Sequence, residues 1–182
     1  MFKKAFLVAV GVLIVVVAVF CVVVAMQPNE FKITRTASMS AAPDKVFEQV
    51  NDFHKWEAWS PWAKLDPAMK STYSGPASGP GANYAWVGNG DVGEGSMTIS
   101  NSHPNDSIRL DIEFVKPFAA KNVIDFDLKP EGDKTNVTWT MTGKNNFLTK
   151  AFGLVMNMDK LVGSDFEKGL TQMKAVVEAG PK

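Results

Sequence analysis

Apolar and polar residues alternate in different ways along the chain, and each pattern predicts a different element. From Ala5 to Met26 run 22 residues without a charge, AFLVAVGVLIVVVAVFCVVVAM. As a helix this run measures roughly 33 Å, enough to cross a hydrocarbon core of about 30 Å. It is apolar on every side, so it has no face to turn to water. The pattern predicts a transmembrane helix over 5–26, with 1–4 before it and a linker over 27–30. From Phe31 the residues alternate. Phe31, Ile33, Ala37 and Met39 fall on one face of FKITRTASMS, and Lys32, Thr34, Thr36, Ser38 and Ser40 on the other. That is a half-buried strand, with Arg35 on its apolar face.

AAPDKVFEQVNDF then changes period. Pro43 suits a first helical turn, and Val46, Phe47 and Val50 form a short apolar stripe. In the following HKWEAWSPW, Trp56 and Trp59 are three apart and neighbours on a helix, and Pro61 ends that helix by Ser60. Two short helices are expected. GPASGPGA at 75–82 is a turn by composition. Strand-like runs begin at Asn83, Glu94, Ser107, Lys121 and Thr135. Ile108, Leu110, Ile112 and Phe114 alternate with Arg109, Asp111 and Glu113. Ile124, Phe126 and Leu128 oppose Asp125 and Asp127, and Val137, Trp139 and Met141 oppose Thr138, Thr140 and Thr142. Strands with one apolar face make an antiparallel sheet covered on one side. The expected cover is one long helix over 147–177, with Phe152, Val155, Val162, Phe166, Met173 and Val176 at helical spacing and Asp159 inside the stripe. Strand, two short helices, strands and a long helix make an α+β domain over 31–182.

Charge and motifs narrow the function. Beyond Lys3 and Lys4 the chain has 17 basic and 19 acidic residues, a net charge of −2. No basic block offers phosphates a surface, so nucleic acid is not expected as a partner. Cys21 is the only cysteine and lies in the apolar run, so the domain has neither a disulfide nor a thiol nucleophile. Phe20 before it argues against lipid attachment. Lys3 and Lys4 precede the run closely, whereas Lys32 and Arg35 lie further beyond it. Positive-inside logic therefore puts the N-terminus in the cytoplasm and the domain outside the cytoplasmic membrane. Cleavage after Ala25 is the alternative to a retained anchor, since Val23 and Ala25 suit a signal-peptide site.

GNGDVGEG contains a GxGxxG spacing, but strands flank it on both sides, so it reads as a hairpin turn and not a dinucleotide loop. His54 and His103 lack partners at metal-ligand spacing and read as surface residues. No metal or cofactor site is expected. The sequons at Asn105 and Asn136 matter only in a eukaryotic secretory host.

AAPDKVFEQVNDFHKWEAWSPW, YSGPASGPGANYAWVGN, GEGSMTI and GSDFEKGLTQMK resemble the bacterial polyketide cyclase/dehydrase-like branch of the SRPBCC, or START-like, superfamily. The likeness extends over 31–178. It implies the birch-pollen-allergen-like helix-grip fold: a curved antiparallel sheet wrapped around a long C-terminal helix, with a ligand cavity between them. It implies a hydrophobic small molecule or lipid as ligand, while fold alone does not fix chemistry.

Candidate cavity residues are Arg35, Trp56, Trp59, Trp86, Met97, Leu110, Ile112, Phe114, Phe126, Trp139, Met141, Phe152, Val155, Asp159, Val162 and Phe166. Aromatic and methionine side chains suit an adaptable apolar wall, and they equally suit a filled core. Arg35 and Asp159 each interrupt an apolar stripe and must be paired or hydrated. They are expected to face each other as an ion pair or to anchor a ligand head group. The leading expectation is membrane-anchored binding of a hydrophobic molecule. A cyclase- or dehydrase-like enzyme is the alternative, with Asp159 as an acid or base of raised pKa. A non-catalytic interaction module is the third.

Overall fold

The computed structural model describes residues 2–179. Two compact units hold them: one draws on Met1–Phe31 and Lys144–Asn157, the other on Lys32–Gly143 and Met158–Lys182.

The larger unit is built on an antiparallel sheet. Its strands are β1 (Glu30–Met39), β2 (Lys70–Ser74), β3 (Asn83–Val87), β4 (Glu94–His103), β5 (Ser107–Lys116), β6 (Ala120–Glu131) and β7 (Lys134–Lys144). They lie in the order β1-β7-β6-β5-β4-β3-β2. β1 and β2 thus form opposite edges, and the segment joining them crosses one face of the sheet. That segment carries α2 (Pro43–Asn51) and a short 3-10 helix, η1 (Phe53–Ala58). Pro43 opens α2, where its missing N–H costs nothing. The Asp52 side chain caps η1 by accepting from the His54 N–H. α2 buries Val46, Phe47 and Val50 and packs across β5 and β6.

The strands alternate as expected. In β5, Ile108, Leu110 and Ile112 are buried while Arg109, Asp111 and Glu113 are exposed. On the outer face Thr34 and Thr36 of β1 meet Thr140 and Thr138 of β7, hydroxyl to hydroxyl, at 3.1 and 3.0 Å. β4 carries register shifts between Glu94 and Gly95 and between Ile99 and Asn101. Such bulges bend the strand and sharpen its twist.

The expected helix over 147–177 is two. α3 spans Phe147–Gly153 and α4 spans Met158–Glu178. Between them the ladder tightens: the Leu154 and Val155 N–H groups donate to Ala151 O and Phe152 O. Gly153 and Asn157 are poor helix formers on either side of this turn. β2, KSTYS, is a further element that the alternation did not predict; all five of its residues are exposed.

α4 buries Gly163, Phe166, Gly169, Leu170 and Met173. Phe166 stacks on Trp139 at 4.1 Å and 7°. Trp139 also meets Trp59 at 5.7 Å and Phe126 at 4.8 Å. A β-carbon at Gly169 would stand 2.8 Å from the Trp139 ring, so this glycine permits the close approach. GNGDVGEG is the hairpin between β3 and β4, closed by Gly88 N–H donating to Gly93 O at 2.9 Å.

The smaller unit contains α1 (Phe2–Ala25) and α3. Lys3–Ala25 is by length and composition enough to cross a membrane. Its side chains are exposed along most of the helix, with Val24 buried near its end.

Candidate functional site

The inner face of the sheet divides in two. In one half the side chains are sealed. Trp59, Trp139, Phe126, Leu110, Ile108 and Phe166 retain 0–1% exposure. Trp56 and Trp59 lie 4.6 Å apart and meet Phe126 edge-on at 6.2 Å each. Their indole N–H groups donate to Val50 O and Gln49 O, at 3.0 and 3.1 Å. These partners come from α2, so the tryptophan pair staples the short helices to the sheet. Trp62 reaches Trp139 at 6.1 Å.

In the other half the cover thins. Tyr84, Met97, Ile112, Asn122 and Gly143 form one row across β3 to β7. Trp86, Gly95, Phe114 and Ala120 form the next. Trp86, Met97, Ile112, Asn122 and Met141 keep 6–9% exposure. Trp86 lies across Gly95, where a β-carbon would stand 2.7 Å from its ring. Its indole N–H donates to Val92 O at 3.0 Å. Trp86 stacks beside Tyr84 at 5.7 Å and meets Phe114 edge-on at 6.1 Å. Tyr84 continues to Tyr73 at 5.3 Å, and Tyr73 stacks on His54 at 4.2 Å. Burial pushes the Tyr73 phenol up, and the neighbouring Tyr84 adds to the shift. The result is a row of aromatic contacts, the aromatic bay, running from the β2 edge into the sheet.

Asn122 is the polar group of this bay. It is nine-tenths buried; the polar side-chain atoms sealed without a partner among the described residues are Asn51 Oδ1 and Trp139 Nε1, so the Asn122 amide keeps a partner or a path to solvent. An amide on an otherwise apolar face can both donate to and accept from a polar group of a ligand. The alternation in Ile124, Phe126 and Leu128, extended two residues back, puts Asn122 on the apolar face; that signal was in the sequence, and Asn122 was not among the expected residues. Tyr84 follows from Trp86 by the same step of two.

Arg35 and Asp159 do meet, at the first turn of α4. Arg35 Nη1 and Nη2 donate to Asp159 Oδ1 and Oδ2, both at 3.1 Å, and Nη2 donates to Asp159 O at 2.9 Å. Nε donates to Glu167 Oε1 at 2.6 Å, and Nη1 to Thr34 O at 2.8 Å. These bonds engage all five guanidinium donors and leave none for a ligand. Asp159 and then Glu167 raise the Arg35 pKa, so it stays charged. The hydrogen bond from Arg35 holds the Asp159 carboxyl below its ordinary value.

This corrects the expectation of a buried acid of raised pKa. The Asp159 side chain is 60% exposed, and the guanidinium stabilises its charged form. Phe152 and Val155 are also exposed and lie on α3 and the turn after it, outside the buried face of α4, because the helix breaks between them and Met158. Val162 is half-buried beside Gly163. A shallow surface depression lined by Gln49, His54, Lys55, Glu57 and Ala58 includes none of the expected cavity residues. Among the described residues no group of three or more His, Cys, Asp or Glu side chains is placed to hold a metal.

The family model described as polyketide cyclase / dehydrase and lipid transport matches residues 30–178. A comparison with curated proteins gives no match. Solved structures share the fold. Ginseng major latex-like protein 151 from Panax ginseng superposes with a TM-score of 0.59 at 12% identity, over 82% of this chain and 99% of that one. Ara h 8.0201 gives 0.58 at 10% identity, over 83% and 99%. The Aha1 dimer from Colwellia psychrerythraea gives 0.59 at 17% identity, over 84% and 99%. These identities carry the helix-grip fold and no more.

Proposed function

The chain belongs to the polyketide cyclase/dehydrase and lipid transport family, and from that premise we propose that it is a membrane-anchored binder of a hydrophobic small molecule or lipid. The family and the fold support binding of a hydrophobic ligand. The aromatic bay is the place proposed for it, and one observation carries that choice. An inner face sealed in one half continues, in the other, as Tyr84, Trp86, Met97, Ile112 and Phe114 around the amide of Asn122. A wall of apolar side chains with one convergent polar group is the usual makeup of a small-molecule site. The Asn122 amide both donates and accepts, so it suits a carbonyl, hydroxyl or ester on an otherwise apolar molecule. Trp56, Trp59, Leu110, Phe126, Trp139 and Phe166 serve as the packed floor, and Arg35 and Asp159 fix α4 to β1.

In this reading α1 spans the cytoplasmic membrane, with Lys3 and Lys4 inside and the domain outside. A ligand drawn from the bilayer would then be concentrated beside its carrier. The test is native mass spectrometry of the full chain released gently from membranes. A bound mass of lipid or small apolar size, lowered in occupancy by Asn122→Leu, is the expected result. A bare chain from several membrane sources would overturn the reading.

A further inference from the structure

The smaller unit carries a surface that ligand binding does not use. Seven of the ten residues in FLTKAFGLVM, 147–156, are apolar. Phe147, Leu148, Leu154, Val155 and Met156 are exposed, Val155 to 85%. Apolar patches of this kind on a polar-rimmed surface mark a contact with another apolar medium.

Its position is fixed from within the same unit. The Asn145 N–H donates to Asn29 O at 2.8 Å, and Asn145 Nδ2 donates to Pro28 O at 3.2 Å. Lys150 Nζ donates to Asn29 Oδ1 at 2.6 Å and to Ala25 O at 3.5 Å. α3 also packs against α1. These bonds clamp 145–150 to residues 25–29, where the apolar run of α1 gives way to Gln27, Pro28 and Asn29. In a spanning helix that is the boundary between hydrocarbon and head groups. α3 has seven residues, a length of roughly 10 Å. The apolar side chains of 147–156 are therefore held within about one short helix of that boundary. An interfacial segment buries its apolar face about 5–10 Å into the head-group layer.

We propose that 147–156 seats in the interfacial layer of the bilayer that α1 spans. Phe147, Leu148, Leu154, Val155 and Met156 dip below the head groups, while Asn145, Asn146 and Lys150 stay at their level. The choice of lipid over a second copy of the chain follows from continuity. The patch adjoins the end of α1, whose side chains from Phe6 to Val23 are bare along most of their length. A surface clamped to that helix shares its solvent.

The seating rests on the membrane-anchor reading, and the test separates the two. The full chain in a Cys21→Ser background carries one environment-sensitive NBD label, by Val155→Cys, Val15→Cys or Lys129→Cys. Each variant is reconstituted in nanodiscs of phosphatidylcholine and phosphatidylglycerol, with or without a nitroxide near the lipid head group. The expected result is blue-shifted emission at 155 with loss of most of its intensity to the nitroxide. The label at 129, on the exposed β6–β7 hairpin, reports on the larger unit separately. A label at 15 in lipid with a label at 155 in water overturns the seating alone. A label at 155 that is blue-shifted yet not quenched by the nitroxide also overturns it, in favour of a protein contact. A label at 15 in water overturns both.

Discussion

The Arg35 guanidinium lies on the backbone of α4 at Gly163, where a β-carbon would stand 1.9 Å from Nη2 and 2.2 Å from Cζ. Arginine is long and flexible, but this one is tied by Asp159, Glu167 and Thr34 and cannot yield without losing bonds. Gly163→Ala in an ordinary helix interior would stabilise by about 1 kcal/mol. Here the overpacking, typically about 1–3 kcal/mol, works against it, and we expect a net loss of stability in urea unfolding. In an Arg35→Ala background the same substitution should become neutral or stabilising. Additive effects in that double-mutant cycle would mean that the guanidinium does not hold the helix here.

The Arg35–Asp159 pair predicts a dependence on acid. The folded-state pKa of Asp159 lies below its unfolded value, so its contribution is present above about pH 4 and fades as pH falls through the folded value. Arg35 remains charged throughout and adds no dependence of its own. Glu178 behaves alike, since the Ser40 N–H donates to its carboxylate at 2.6 Å. Asp159→Asn should flatten the fall in thermal midpoint between pH 5 and pH 2. An unchanged slope would show that the pair does not form in solution. Both carboxylates are solvent-exposed, so the effect near neutrality should be small.

Trp59 is fully buried and touches Trp56, Phe126 and Trp139. Trp59→Ala should cost about 3–5 kcal/mol, the range for large aromatic truncations. The loss should be the same with and without bound ligand, because this residue belongs to the sealed half. A variant of full stability that lost only binding would move the ligand site to the tryptophan pair.

Asn122 predicts the opposite behaviour. The Asn122 amide sits on an otherwise apolar face, and an apolar group of similar size there trades the desolvation of the amide for packing. Asn122→Leu should therefore leave stability unchanged or raise it, while weakening retention of a ligand that bears a polar group. Chemical unfolding and ligand occupancy in the same preparation separate the effects. A marked loss of stability would mean that the amide has a structural partner.

The strands were legible because each is half-buried: Ile108, Leu110 and Ile112 declare a face simply by alternating with Arg109, Asp111 and Glu113. β2 was not, since KSTYS buries no side chain and so carries no burial pattern. The break after α3 was hidden for the converse reason. Phe152, Val155, Asp159, Val162 and Phe166 keep helical spacing through the turn, and apolar periodicity does not distinguish a side chain that packs from one left exposed. Arg35 and Asp159 were visible as interruptions of apolar stripes. Their pairing and the low pKa of Asp159 depend on Gly163, whose missing side chain has meaning only once β1 and α4 are packed together. Asn122 was within reach of the same alternation. The unequal cover over the two halves of the sheet was not, because it arises from where α2, η1 and α4 cross the strands.

The central claim is that a hydrophobic molecule occupies the aromatic bay. Photolabelling tests it most directly: the full chain in membranes is irradiated with a diazirine-bearing fatty acid, and the modified residues are mapped by mass spectrometry. The account predicts adducts concentrated on Tyr84, Trp86, Met97, Ile112 and Phe114, diminished by Asn122→Leu. Adducts confined to α1 and to 147–156, with none in the bay, would contradict it.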